Sequence, residues 1–201
     1  MAVLIRIGIW GIQTLIGVLV GYALFVGDLV LFVNGLLGLA TTVVPDILDR
    51  IGGITFSRAI ILWIAIAVLL HTLGMAGPYE TIWWWDHLTH TLSAALLASF
   101  GYAVARALDA HSPHISLPPD FLFLYVFLFT MAAGVLWEVL EFVGRMFARW
   151  IGQQPLLVQY GLTDTVLDLL FDGVGALIVG LGGQRWAGHV TETFKSRLGN
   201  R

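Results

Sequence analysis

The sequence predicts an all-α fold, a polytopic membrane helix bundle of about six transmembrane helices that forms a single domain over residues 1–201. The composition is the first observation behind this prediction, because 58% of the residues are hydrophobic and only 11% are charged. A soluble globular domain averages about 25% charged residues. The second observation is the length of the apolar segments, and the third is the uneven distribution of arginine between the loops that join them.

The apolar segments give the predicted spans directly. A helix that crosses the membrane needs about 20 mainly apolar residues. Spans are predicted at roughly 5–26, 28–45, 58–76, 86–107, 120–147 and 163–184. We expect the second span to stop at Pro45, with the following DILDRIGG segment at the membrane interface. The predicted N-caps of the later spans are Ser57, Asp86, Asp120 and Thr163, because such residues accept hydrogen bonds from free N–H groups.

The basic residues predict an orientation in which both chain termini are cytoplasmic. Cytoplasmic loops of membrane proteins carry an excess of Lys and Arg. With the N-terminus inside, only Arg145 and Arg149 of the 10 basic residues lie outside. Trp83, Trp84 and Trp85 then fall at the outer interface, where tryptophan forms aromatic belts. We therefore expect a multi-pass protein of the plasma membrane.

Ionisable side chains are concentrated in the predicted outer halves of spans four, five and six. Each span has a set spaced to line one helix face: Asp86 and His90; Glu138, Glu141 and Arg145; Asp164, Asp168 and Asp172. A charged side chain at the centre of a spanning helix costs about 2.5–3.5 kcal/mol even on the lenient insertion scales. We therefore expect the three faces to point at one another, or into a wet pocket that faces the extracytoplasmic side.

The chemistry of this predicted pocket favours a divalent metal ion. Crowded carboxylates in a low dielectric need protons or a bound cation. Carboxylate oxygens with imidazole and no thiolate suit magnesium, manganese, zinc or non-haem iron, and the chain has no cysteine. The predicted metal ligands are Asp86, His90, Glu138, Glu141, Asp164, Asp168 and Asp172.

Three residues are predicted to be catalytic in a metal-dependent membrane hydrolase or transferase. A bound ion would activate water and hold a phosphate group. Asp168 or Glu138 would act as the general base, because both should be buried. Arg145 would bind the anionic group of the substrate, which we expect to be a lipid-linked or cell-envelope molecule.

Simpler roles exist for some of these residues. Asp86 and Asp164 lie in first helical turns, where a carboxylate caps N–H groups and interacts favourably with the helix dipole. Capping does not explain Glu138, Asp168 or Asp172, because these residues lie too far along their helices.

Two other functions agree with the sequence. A cation or proton transporter would use Asp164, Asp168 and Asp172 as a relay toward the membrane centre, although the inner half offers few polar groups to continue it. A structural scaffold would use the charged network to fix helix packing. The net charge of −3 gives no indication of nucleic acid. The expected partners are membrane lipids and a small-molecule or lipid-linked ligand. The sequence also allows a homo-oligomer.

Three sequence blocks resemble the VanZ-like and YjdF-like integral membrane proteins. The blocks are WDHLTHTLSA, WEVLEFVGR and TDTVLDLLFDGVGALIVG, and they cover the last three predicted spans. The resemblance places these residues on motif positions: Asp86, His90, Glu138, Glu141, Asp164, Asp168 and Gly175. Asp172 stands where VanZ-like proteins tend to have Asn. Because the VanZ name is linked to glycopeptide resistance, the resemblance implies a role at the cell envelope.

Overall fold

The computed structural model describes residues 2–53, 55–112, 114–157 and 160–186. These residues form helices and no strand. The helices are α1 (Ala2–Val26), α2 (Leu29–Gly52), α3 (Arg58–Met75), α4 (Pro78–Thr81), α5 (Trp85–His111), α6 (Pro119–Trp150) and α7 (Leu162–Trp186). Six of them, all except α4, are long and apolar enough to cross a membrane. The predicted all-α fold with six spans is therefore confirmed.

Helix α2 continues beyond the point where we expected it to stop. The predicted end at Pro45 is wrong, because the helix includes this proline and ends at Gly52. Proline is tolerated in membrane helices whose freed backbone groups find other partners. The C-cap residue is Gly53, which adopts φ 56° and donates its N–H to the carbonyl of Leu48. Glycine suits this left-handed C-terminal position.

The predicted N-caps have mixed outcomes. Ser57 caps α3, with its Oγ 3.3 Å from the backbone nitrogen of Ile60. The other three predictions are wrong by two residues, because α5, α6 and α7 begin at Trp85, Pro119 and Leu162, so Asp86, Asp120 and Thr163 are the second residues of their helices. These residues therefore lie in the first turns, where an acidic side chain still interacts favourably with the helix dipole.

The short helix α4 was not predicted from the sequence. It follows Gly77, whose φ of 132° lies in the region that favours glycine. The helix presents the ring of Tyr79 to Gly74, where an added Cβ would collide with that ring. A glycine on α3 therefore provides the space that Tyr79 occupies.

The chain divides into two compact units, which we describe separately. Unit 1 comprises Met1–Thr89 and Trp137–Thr165, and unit 2 comprises His90–Leu136 and Val166–Arg201. Helices α5, α6 and α7 each contribute to both units. Asp86, Glu138, Glu141, Arg145 and Asp164 therefore belong to unit 1, whereas His90, Asp168 and Asp172 belong to unit 2. The single domain expected from the sequence stays a prediction.

In unit 1, buried polar side chains connect elements that are distant in sequence. Gln13 on α1 donates to Thr42 Oγ1 on α2 at 3.2 Å. Asn34 on α2 donates to the carbonyl of Leu156, in the segment that follows α6, at 2.8 Å. These bonds satisfy buried polar groups, which would otherwise destabilise the fold.

In unit 2, a glycine brings α5 and α7 into close contact. A Cβ added to Gly175 would lie 2.6 Å from the carbonyl oxygen of Thr91 and 2.8 Å from the backbone nitrogen of Ala95. Small residues allow membrane helices to approach in this way. Gly175 is therefore a close-packing position between the two helices.

Candidate functional site

In unit 2, the imidazole of His90 lies between two carboxylates of α7. His90 Nδ1 is 3.2 Å from Asp172 Oδ1, and His90 Nε2 is 3.8 Å from Asp168 Oδ1. Asp168 is 1% exposed and Asp172 is 6% exposed. Both ring nitrogens therefore face a buried acidic group. We call these three residues the His90 cluster.

Local helix geometry explains how the His90 cluster forms. Asp168 and Asp172 are four residues apart on α7, so they lie on one face, one turn apart. Gly175, a further turn along, allows α7 to approach α5. The side chain of Thr91, next to His90, donates to the carbonyl of Phe171 at 3.3 Å. The close helix contact thus holds His90 opposite the two acids.

Gly134 on α6 provides the space for one of these acids. A Cβ added to Gly134 would collide with Asp172 Oδ2 and would lie 3.4 Å from Leu169 Cδ2. Sequence reasoning missed this residue. Its spacing four residues before Glu138, on the same face of the helix, is a signal that could have identified it.

In unit 1, Glu138 is a buried acid with one bonded oxygen. Glu138 is 5% exposed, and its Oε2 accepts a hydrogen bond from Thr165 Oγ1 at 2.7 Å. Its Oε1 is buried and makes no hydrogen bond with any described residue. A buried polar atom in this state indicates strain, a functional role or a bound species. Thr165 was not predicted as a site residue, although its position between Asp164 and Asp168 in the sequence is a signal that could have identified it.

A chain of hydrogen bonds in unit 1 leads from α3 to the start of α5. His71 Nδ1 is 2.9 Å from Tyr79 Oη, and this hydroxyl donates to Thr89 Oγ1 at 3.3 Å. Thr89 Oγ1 in turn donates to the backbone carbonyl of Asp86 at 2.8 Å and lies 3.4 Å from Asp86 Oδ1. Sequence reasoning missed Tyr79 and Thr89 because nothing in their spacing relates them to His71.

The acids of unit 1 influence two tyrosines outside the membrane spans. Burial raises the pKa of Tyr79, and the negative charges of Asp86 and Glu141 raise it further against the opposing hydrogen bond with Thr89. Burial likewise raises the pKa of Tyr160 to about 12, with contributions from the surrounding carboxylates. Burial is therefore the main cause of both raised pKa values, and the nearby carboxylates add to it.

Two other predicted site residues of unit 1 have identifiable contacts. Asp164 Oδ2 accepts a hydrogen bond from the backbone nitrogen of Tyr160 at 3.0 Å, so it stabilises the chain that enters α7. The guanidinium carbon of Arg145 lies 5.9 Å from the ring centroid of Phe142, which is within the range of a cation–π contact.

The three consecutive tryptophans differ in their surroundings. Trp83 and Trp84 are exposed, as expected of side chains that contact lipid at an interface. Trp85 is partly buried, and its Nε1 donates to the carbonyl of Leu70 at 3.0 Å. Trp85 therefore attaches the start of α5 to α3.

The structure brings together the three predicted site residues of unit 2. The remaining predicted residues, Asp86, Glu138, Glu141, Arg145 and Asp164, lie in unit 1. Asp86 is linked to the His90 cluster through the chain itself, because it precedes His90 by one turn on α5. The expectation that all seven predicted ligands share one pocket stays a prediction.

Comparisons with known proteins place the chain in a family. An uncharacterized protein of Thermotoga maritima is 31% identical over 116 residues, which are 57% of this chain and 56% of that protein. The chain thus spans only about half the length of this relative, and no solved structure matches it. The resemblance to the VanZ-like and YjdF-like proteins stays a prediction. Residues 7–189 match a family described as "Predicted membrane protein (DUF2238)", and the protein belongs to this family.

Proposed function

We propose that the protein is a membrane protein that binds a divalent metal ion through His90 and Asp168. The observation that carries this proposal is the imidazole of His90 between two buried carboxylates, within helices able to span a membrane. Ionisable groups at such positions are expensive and usually functional.

Charge balance supports a divalent ion. If His90 is neutral, Asp168 and Asp172 leave two buried negative charges, which one divalent cation neutralises. Because burying an uncompensated charge is strongly unfavourable, binding of such an ion would stabilise two ionised carboxylates.

Distances support the same assignment. The separation of 3.8 Å between His90 Nε2 and Asp168 Oδ1 exceeds the usual hydrogen-bond range. Metal–ligand distances of about 2.0–2.2 Å place two ligand atoms of one ion about 3–4 Å apart. The two side chains are therefore spaced to share an ion.

Asp172 has a different proposed role, because it contacts the other ring nitrogen. A metal-binding histidine commonly donates its second N–H to a carboxylate, which fixes the ring and its tautomer. Nδ1 of His90 is 3.2 Å from Asp172 Oδ1, within reach of such a bond. We therefore assign Asp172 to orienting His90, although the sequence predicted it as a metal ligand.

The mixed ligand set narrows the choice of ion. An imidazole nitrogen with carboxylate oxygens suits zinc, manganese or iron, whereas magnesium prefers oxygen ligands throughout. We propose one of these three transition ions. Asp86, one turn before His90 on α5, is the proposed next ligand, as the i,i+4 spacing predicts.

The proposed activity is hydrolysis or group transfer on a lipid-linked or envelope substrate at the extracytoplasmic side of the plasma membrane. A bound ion would supply an activated water. Glu138 stays one of the two general bases predicted from the sequence, and its Oε1 is buried and makes no hydrogen bond with any described residue. Arg145 is proposed to bind the anionic group of the substrate, and Glu141 and Asp164 stay proposed ligands.

Metal analysis of the purified protein tests this proposal. The protein is chelated, repleted with zinc, manganese or iron, and assayed for bound metal. We expect one ion per chain, with at least about a hundredfold weaker binding in His90→Ala and Asp168→Asn, since each loses a ligand. Asp46→Asn is the matched control, because Asp46 is an exposed acid on α2.

Circular dichroism and detergent stability of the same variants separate metal binding from a scaffold role. A folded Asp168→Asn variant that has lost the metal supports the proposal. No stoichiometric metal in the wild-type protein would rule it out, and unfolding of Asp168→Asn with no metal in the wild type would favour the scaffold.

A second candidate function is proton or cation transport. The specific observation is the hydrogen-bonded series from His71 through Tyr79 and Thr89 to Asp86, which resembles a proton path. A pH-sensitive dye enclosed in proteoliposomes tests it. Proton flux that Tyr79→Phe abolishes would favour transport, whereas the same slow leak with and without the protein would exclude it.

A further inference from the structure

A cavity of about 440 Å³ lies in unit 2, away from the His90 cluster. Its lining combines one basic side chain with aromatic and aliphatic ones. The lining residues are Tyr102, Arg106, Pro119, Leu122, Phe123, Gly180, Leu181 and Gly182. Its volume falls in the usual range of ligand pockets, about 300–1,000 Å³.

The cavity lies where three candidate spans end. The span on α5 ends at Ala110, the span on α6 begins at Pro119, and the span on α7 ends at Gly182. The lining residues other than Tyr102 thus lie within four residues of the end of their own span. The headgroups of the bilayer lie just outside the hydrocarbon core, at the ends of spanning helices. The cavity is therefore at the level where a lipid headgroup meets its acyl chains.

Arg106 gives the cavity a fixed cationic group. One Nη donates to Asp109 Oδ2 at 2.8 Å, and Asp109 Oδ1 accepts from the backbone nitrogen of Leu117 at 2.8 Å. The guanidinium has five N–H donors in a planar fork that matches a phosphate. The bond with Asp109 uses one donor and orients the others.

Neither neighbouring acid lines the cavity, and the carboxylate of Asp109, paired with Arg106, offsets part of the charge of the guanidinium. Asp109 is not a lining residue, and both of its oxygens accept hydrogen bonds. Asp120, in the first turn of α6, is exposed and also does not line the cavity.

The rest of the wall suits an acyl chain. Leu122, Phe123 and Leu181 are apolar. Gly180 on α7 adds no side chain to the lining. A Cβ added to Gly180 would lie 2.8 Å from Phe123 Cδ2. Because glycine has no Cβ, the Phe123 ring keeps its position and the cavity stays open. An inorganic ion would leave this apolar surface uncovered, whereas an acyl chain would bury it.

We propose that this cavity binds one phospholipid, with its phosphate on Arg106 and the start of an acyl chain against Leu122 and Phe123. The site is independent of the proposed metal site. The proposal predicts that tight binding requires both the phosphate group and the acyl chain of the lipid.

Native mass spectrometry of delipidated protein in detergent tests the proposal with three probes. These are dioctanoyl phosphatidylglycerol, dioctanoylglycerol, which has the same chains and no phosphate, and inorganic phosphate. We expect the first to bind and the other two to bind at least about fivefold more weakly, the factor expected for one Arg–phosphate contact near a membrane surface. Equal binding of dioctanoylglycerol, or binding of inorganic phosphate as tight as that of the lipid, would overturn the proposal.

Two variants provide a second test of the proposal. Arg106→Gln should weaken phosphatidylglycerol binding by about fivefold without changing dioctanoylglycerol binding. Arg58→Gln is the matched control, because Arg58 is an exposed arginine at the start of the α3 span, and it should change neither. The same loss in both variants would contradict a specific site. If Arg106→Gln does not fold, the three-probe comparison on the wild-type protein still decides the question.

Discussion

The two ends of unit 2 carry polar groups of opposite sign in opposite surroundings. His90 on α5 faces the buried carboxylates of Asp168 and Asp172. Arg106, about 24 Å further along the same helix at 1.5 Å per residue, lines an open cavity. Protons or a small cation, as proposed above, can balance the charge of a closed acidic group, whereas an open basic group can accept a large anion. The two ends are therefore suited to different ligands.

Glycines of α7 create both environments. At the acidic end, Gly175 meets the backbone of α5, so the helices touch and leave no room for a side chain. At the basic end, the nearest atoms to a Cβ added at Gly180 belong to the ring of Phe123, and Gly182 lines the cavity. The single stretch DGVGALIVGLGG thus closes one site and opens the other.

The largest expected effect separates the two acids of the His90 cluster. Asp168→Asn should weaken metal binding by at least about a hundredfold, because it removes a ligand. Asp172→Asn should weaken it by about tenfold or less, because Asn still accepts a hydrogen bond from His90 Nδ1, and losing such a partner altogether costs about 10–100-fold. Competition with a metal-sensitive dye measures both. Equal losses would show that both acids bind the ion directly.

The next effect compares the two glycines. Gly175→Ala should lower the free energy of unfolding by about 1–3 kcal/mol, since a methyl group cannot fit against backbone atoms. Gly180→Ala should lower it by less, because the Phe123 ring can move. Thermal unfolding in detergent measures the difference, and a larger loss for Gly180→Ala would contradict the proposed difference in packing.

A smaller effect is expected at Gly134. Gly134→Ala should displace Asp172 and weaken metal binding by about tenfold, as expected for the loss of a partner that orients a ligand. Gly17→Ala is the matched control, because a Cβ there meets nothing within 4 Å. The absorption bands of cobalt-substituted protein should shift only in Gly134→Ala. Unchanged bands would show that Asp172 does not orient His90.

The smallest effect is expected for Tyr79, which lies near the acids of unit 1 and serves as a reference residue outside unit 2. Because the pKa of Tyr79 is raised in the folded state, its contribution to stability is complete below the unfolded value of about 10 and is lost as the pH rises above it. Tyr79→Phe should therefore decline less in stability between pH 9 and pH 12 than the wild-type protein. Parallel declines would show that Tyr79 is not in a negative, buried environment.

Local patterns made much of this fold predictable. Hydropathy and length identified the six spans, and the spacing of Asp168 and Asp172 identified the acidic face of α7, since helical periodicity fixes both. These features depend only on residues close together in sequence.

The misses involve contacts between distant residues. The spacing of Tyr79 and His71 does not predict that they bond to each other, and Gly134 and Asp172 lie on different helices, 38 residues apart. The predicted end of the second span at Pro45 was wrong because proline usually ends helices in water but is tolerated in membrane spans. The different contacts of the two nitrogens of His90 likewise depend on tertiary packing.

X-ray absorption at the metal edge of the zinc-repleted protein tests the central claim most directly. The account predicts a first shell with imidazole nitrogen and carboxylate oxygen, in which the imidazole signal disappears in His90→Ala and persists in Asp172→Asn. A shell without imidazole, or one that His90→Ala leaves unchanged, would contradict metal binding by the His90 cluster.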